Sequence, residues 1–175
     1  MQEANLPFRE VSHYPDEVNP QAIIVRLLDG LEFRFHWATE TLREEDYAYR
    51  PGVGCKTIGQ LVDHIWGLMN WIIIHGHLPQ EPRPAAYPAR RVHVLALVQR
   101  LREHFADLGA EDLASFQIEN KPFWHLINGP LDDALTHIGQ INSFRRLAGN
   151  PPSEANVFGM LAQPFQTKGE NYEGS

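Results

Sequence analysis

Apolar residues recur at intervals of three and four along four long segments, and this periodicity constrains the fold more than any other feature. In the first segment, 21–42, the repeat includes Ile24, Leu28 and Leu31. Side chains at this spacing lie on one face of an α-helix, so each segment is predicted to be a helix that buries one stripe. Strand-like alternation is scarce. The periodicity therefore predicts an all-α fold.

Signals at the segment ends set the expected helix boundaries. Pro20 suits the first turn of helix one, and Thr57 with Gln60 forms a capping-box pattern before helix two. A proline-rich crossover joins helices two and three. The expected helices are 21–42, about 58–74, 89–109 and about 130–148, and the crossover is 79–88. These elements predict a four-helix bundle with a long connection between helices two and three.

Length and charge narrow the class of protein. A chain of 175 residues suits a single domain, 1–175, with a helical core at about 20–150, an N-terminal arm at 1–19 and a C-terminal tail at 151–175. A formal net charge of -7 argues against a nucleic-acid partner. No run approaches roughly 20 apolar residues, so no membrane span is expected. With no signal peptide recognised, we expect a cytoplasmic protein.

The fourth helix carries the sharpest chemical signal. Asp133 and His137 are four residues apart, so they share a helix face, and that face also carries apolar residues. A buried carboxylate is costly unless it is paired or bound to a metal. His64 lies in a similar apolar setting on helix two, between Leu61 and Ile65. If helices two and four face each other, the three side chains converge, although a hydrogen-bonded Asp–His pair has the same spacing.

Two imidazoles and one carboxylate form a reasonable ligand set for a divalent metal. A closed structural zinc site needs four protein ligands, whereas His64, Asp133 and His137 would leave a position for water or substrate. The same set matches the facial triad of non-haem iron oxygenases. These three residues are the predicted metal site.

The motifs around these residues resemble those of the DinB/YfiT-like superfamily. The segment Thr57-Ile-Gly-Gln-Leu-Val-Asp-His64 resembles its helix-two segment, and His137-Ile-Gly-Gln140 followed by Arg145-Arg146 resembles its last-helix segment. The segment that leads into helix four, 128–130, and the segment that follows it, 149–151, resemble those of one subgroup of that family. The resemblance covers about residues 20–150.

The resemblance implies a metal held by one histidine on helix two and two histidines four apart on the last long helix. Carried over, His64 matches the first ligand and His137 the last. Asp133 stands where the family usually has its middle histidine. A carboxylate can replace an imidazole but adds a negative charge. The implied cofactor is a divalent ion, zinc or nickel first, with iron or manganese as further options.

The resemblance also implies an activity. We expect thiol-dependent transferase chemistry on a small-molecule substrate, with a low-molecular-weight thiol as a partner and the chain acting as a homodimer. One alternative is a metal-dependent hydrolase. Another is a non-catalytic metal-binding or stress-response module, also homodimeric. A plain helical bundle, in which Asp133 and His137 only form a hydrogen bond, is a further possibility.

The remaining histidines are expected to lie outside the metal site. His36, beside Glu32, is expected on a solvated face of helix one, and His93 on the surface of helix three. His75 suits the negative end of helix two, where a cationic imidazole is favourable. His125 is expected near the mouth of a pocket.

The paired arginines of helix four and the single cysteine are first interpreted as structural residues. Arg145 and Arg146 lie near the end of helix four, where cations stabilise the helix dipole, although they are also candidates to bind an anionic substrate. Cys55 is expected to be a loop residue. Because it is the single cysteine, it cannot form a disulfide within the chain, and a disulfide-stabilised scaffold is excluded. The sequence has no phosphate loop and no serine elbow, so nucleotide-dependent chemistry is not predicted.

Overall fold

The structure is a computed structural model that describes residues 10–11, 13–158 and 161–162. The predicted arm and tail therefore lie partly outside the described residues. The prediction of a mostly helical chain is confirmed. The helices are α1 (Pro20–Thr39), α2 (Ile58–His75), α3 (Tyr87–Asp107), α4 (Ala110–Ser115), α5 (Trp124–Leu126) and α6 (Asp132–Leu147), with a 3-10 turn at Glu44–Ala48 and a π turn at Ile127–Leu131.

Two short antiparallel hairpins supplement the helices. The first pairs β1 (Gln117–Ile118) with β2 (Lys121–Pro122), and the second pairs β3 (Ala155–Asn156) with β4 (Leu161–Ala162). Each strand is only two residues long, so the hairpins act as connections rather than as a layer of the fold.

The N-termini of α1 and α2 form where the sequence predicts them. The Asn19 side chain accepts a hydrogen bond from the Ala22 backbone at 2.8 Å, and Pro20 follows at the first helical position of α1. At α2 the Thr57 hydroxyl accepts from Gln60 N at 3.1 Å, while the Gln60 side chain accepts from Thr57 N at 2.9 Å. This reciprocal capping box satisfies two backbone donors that would otherwise lack partners.

The four long helices pack against one another around a shared apolar core. Helix α1 contacts α3 and α6, and α2 contacts the same two helices. Leu28, Phe35, Ile65, Leu101 and Ile141 are among the core residues with no more than 1% of their surface exposed. The contact between α2 and α6 places His64 opposite the start of α6.

The entry to α6 differs from the predicted one. Pro130, expected to open the helix, lies inside the π turn that joins α5 to α6. Proline has no N–H to donate within a helix and its ring crowds the preceding turn. A π turn is a wider local geometry often found inserted in α-helices. The helical path therefore begins at α5, and the π turn ends two residues before Asp133.

The predicted solvent exposure of three residues is wrong. Glu32, His36 and His93 are 1%, 0% and 8% exposed. Helix α3 packs over the polar face of α1, where Arg91 Nη2 lies 3.5 Å from His36 Nδ1. His93 is covered by Trp66, whose indole N–H donates to its Nδ1 at 3.1 Å. The sequence pattern predicts solvated polar faces, whereas the packing of other side chains buries them.

Within the described ranges, no helix combines the length and apolar character required to cross a membrane.

Candidate metal centre

His64, Asp133 and His137 come together at the interface between α2 and α6, as the sequence predicts. His64 Nε2 lies 2.9 Å from Asp133 Oδ2, and His137 Nε2 lies 3.3 Å from Asp133 Oδ1. The two imidazole rings meet edge to face, with centroids 4.7 Å apart. Each carboxylate oxygen thus faces one imidazole nitrogen, and the cluster joins the two helices.

The spacing of the three donor atoms fits a metal ion. One ligand atom from each residue lies within 4.8 Å of the other two. Tetrahedral zinc with bonds of about 2.0–2.1 Å places its donors roughly 3.3–3.4 Å apart, which matches the 3.3 Å between His137 Nε2 and Asp133 Oδ1, whereas the 2.9 Å between His64 Nε2 and Asp133 Oδ2 is a hydrogen-bond distance. Two nitrogens and one carboxylate oxygen also suit several other divalent metals. The group can therefore hold a metal ion.

Gln140 fixes the orientation of His137. The Gln140 side-chain oxygen lies 2.7 Å from His137 Nδ1. Because a carbonyl oxygen only accepts hydrogen bonds, Nδ1 must carry the proton and donate. In the neutral ring the lone pair is then on Nε2, which faces Asp133. A lone pair opposite a carboxylate is unfavourable unless a proton or a metal ion lies between them.

The cluster opens to solvent on one side. The His137 side chain is 12% exposed, whereas His64 and Asp133 are 38% and 45% exposed. Among the described residues three protein donors converge, which leaves a tetrahedral shell one ligand short on the solvent-facing side.

A second polar group lies farther along the same face of α2. Trp71 Nε1 donates to Glu119 Oε1 at 3.2 Å, and His75 Nε2 lies 3.6 Å from that oxygen. The His125 ring packs edge-on against Trp71 at 6.0 Å between centroids. His75 therefore pairs with a side chain of the first hairpin in addition to lying at the end of α2.

Sequence reasoning missed the parts played by Gln140 and Glu119. Gln140 follows His137 by three residues, a spacing that places both on one side of a helix, and this was an available signal. Glu119 had no such signal, because it occupies the turn between β1 and β2 with a φ of 50°, a conformation that glutamate rarely adopts.

Comparisons of the chain with protein-family models, with curated proteins and with solved structures find no match. Fold and site together define a mostly helical protein with a His/Asp/His group that can hold a metal ion.

Proposed function

We propose that the chain is a divalent-metal-dependent enzyme of the DinB/YfiT-like type, with a four-helix-bundle core. In this proposal His64, Asp133 and His137 hold zinc or nickel, and a low-molecular-weight thiol takes the open position for a group-transfer reaction. One observation carries the proposal: three donors on two helices converge within 4.8 Å of one another, with one side open to solvent.

The residues of the cluster have separable roles. A bound metal would supply Lewis acidity that favours the thiolate form of a thiol ligand. Asp133 lies between the two imidazoles and holds both nitrogens toward one point. Gln140 keeps His137 in the tautomer that presents its Nε2 lone pair. The exposed sides of His64 and Asp133 admit the thiol and the second substrate.

Thiol transfer is favoured over hydrolysis on chemical grounds. A thiolate is already a nucleophile and requires no separate general base, whereas hydrolysis requires a base for water and an acid for the leaving group. The proposal also includes a cytoplasmic location and a homodimer, and light scattering of the purified protein tests the homodimer.

Metal content tests the site directly. Mass spectrometry of tag-free protein is expected to show near-stoichiometric metal, lost in both His64→Ala and His137→Ala. His13→Ala is the matched control, because His13 is exposed and outside the cluster, and it should retain the metal. Wild-type protein that stays metal-free after incubation with zinc, nickel, manganese and anaerobic iron would contradict the proposed site.

Cobalt(II) substitution tests the thiol separately from the metal. Adding a small thiol to cobalt-loaded protein is expected to produce a thiolate-to-cobalt charge-transfer absorption band. The corresponding alcohol should produce none. Cobalt that binds at His64, Asp133 and His137 without any such band would overturn the thiol assignment while leaving the metal site intact.

A further inference from the structure

A large groove runs along the outer side of α1 and α6. Its volume is about 1050 Å³, and its edges are lined by the segment before α1 and by Val157 after α6. The α6 residues that line it are on a different face of the helix from Asp133 and His137; they are Leu135, Ile138, Gly139 and Asn142. The groove is therefore separate from the metal cluster.

The lining of the groove is mainly apolar. Helix α1 contributes Ile23, Leu27 and Leu31, and Val18 lies at the edge before that helix. Ile23 and Val18 are 50% and 92% exposed. Apolar side chains that face solvent together in a concave surface usually mark a binding site.

A cation without an acidic partner lies at one end of the groove. Arg34 donates from Nη1 to the Gly30 carbonyl at 3.2 Å, and no carboxylate among the described residues forms an ion pair with it. It also borders a smaller adjoining groove of about 310 Å³, together with Asn142 and Arg146. The Arg34 guanidinium therefore has donors left for a ligand.

The other charged residues of the groove differ from Arg34. Arg26 donates to the His13 carbonyl at 3.1 Å and its guanidinium lies 4.5 Å from the centre of the Tyr14 ring. Glu17 lies at the opposite end, before α1 begins. At 1.5 Å per residue, the stretch of α1 from Ala22 to Arg34 is about 18 Å long. The groove is thus an elongated apolar channel with an available cation at one end.

We propose that this groove binds an amphipathic carboxylate, such as a fatty acid. The acyl chain lies between α1 and α6, and the carboxylate accepts hydrogen bonds from Arg34, whose planar guanidinium matches a carboxylate in geometry and charge. Asn142 adds an amide at the same end. This binding requires no metal and is independent of the proposed transferase activity.

Gly139 offers a way to block the groove without disturbing the helix. A Cβ built at Gly139 meets no atom within 4 Å, so a leucine there would extend into open space. Gly67 on α2 has the same property and does not line the groove. Gly67→Leu is therefore a matched control, since both substitutions replace a helical glycine with a stronger helix former.

Titration calorimetry with laurate and dodecanol tests the proposal on the full chain. Wild-type protein should bind both, and Gly139→Leu should lose both while Gly67→Leu keeps them. Arg34→Gln should weaken laurate binding about tenfold or more and change dodecanol binding much less, because only the acid pairs a negative charge with the guanidinium. Arg50→Gln, an exposed arginine away from the groove, should bind laurate normally.

Three outcomes would overturn this assignment. The first is the absence of laurate binding by the wild-type protein. The second is unchanged laurate affinity in Arg34→Gln or in Gly139→Leu. The third is a wild-type dimer that Gly139→Leu converts to a monomer, because a second copy of the chain would then occupy the groove.

Discussion

At the level of single residues, the proposed orienting role of Gln140 can be measured without changing the three candidate metal ligands. It accepts from His137 Nδ1 and so orients Nε2 toward Asp133. Gln140→Ala should lower metal affinity about 10–100-fold, as is usual when a group that orients a metal ligand is removed. Gln140→Glu should keep most of the affinity, because a carboxylate also accepts from Nδ1. Competition against a chromophoric chelator measures both.

The control for Gln140 is a glutamine on another helix. Gln99 is a partly buried residue of α3 whose side chain donates to Glu103 and does not touch the cluster. Gln99→Ala should bind metal as tightly as the wild type. If Gln140→Ala also does so, the hydrogen bond to His137 does not orient the ligand.

Residue spacing predicted the cluster but not its surroundings. Asp133 and His137 share a helix face because of the four-residue spacing alone, and His64 required only that α2 and α6 be neighbours. Glu32 and His36 are buried because α3 packs over them, and this contact cannot be predicted from residue spacing within α1. Long-range packing decides which polar face is covered.

At the scale of elements, Arg145 joins the end of α6 to the end of α1. Its fully buried guanidinium donates to the Ala38 carbonyl at 2.8 Å, to Thr41 Oγ1 at 2.6 Å and to the Asn150 carbonyl at 2.9 Å. Burial lowers the pKa of Arg145 from its ordinary value. The residue therefore does more than stabilise a helix dipole, and it is not available to bind an anionic substrate.

Arg145→Lys should destabilise the protein by about 2–4 kcal/mol. Lysine keeps the charge but cannot reach three acceptors with a planar fork, and it leaves buried carbonyl and hydroxyl groups without partners. Urea unfolding followed by circular dichroism measures the loss. Arg146→Lys is the control, since Arg146 is exposed and, within the described part of the chain, donates to Asn142 O alone. Equal stability of the two variants would contradict the proposed connection.

Helix boundaries were predictable where a side chain caps the helix. The observed start of α2 agrees with the predicted one because the side chains of Thr57 and Gln60 accept hydrogen bonds from backbone N–H groups at the start of the helix. The end of α1 lies at Thr39 rather than at the predicted residue 42, although the apolar repeat continues to Leu42. An apolar repeat indicates which residues are buried and does not mark where the helix ends. Leu42 packs against the core from outside the helix.

At the scale of the whole molecule, Glu32 should make stability depend on pH. Its carboxyl is buried between α1 and α3, and neither oxygen has a hydrogen-bond partner among the described residues. Burial, reinforced by the negative charge of Asp29, raises the pKa of Glu32 from 4.5 to about 10, while Arg102 acts in the opposite direction. The native protein therefore keeps this proton at neutral pH.

The sign of the effect follows from the two pKa values. Between about pH 5 and about pH 10 the unfolded chain has lost the Glu32 proton and the native chain retains it. The free energy of unfolding should then fall as pH rises, by up to about 1.4 kcal/mol per pH unit from this group. Stabilisation from the protonated carboxyl is complete below pH 4.5 and is lost as pH rises through about 10.

Urea unfolding at several pH values from about 6 to about 9 tests this dependence, with Glu32→Gln as the variant. Glutamine has a similar shape and cannot titrate, so the slope due to this site should disappear even if the variant is less stable overall. Glu111→Gln is the control because Glu111 is exposed, and it should keep the wild-type slope. Equal slopes in wild type and Glu32→Gln would mean that Glu32 carries no proton in the native protein, and that solvent or a cation reaches it between α1 and α3.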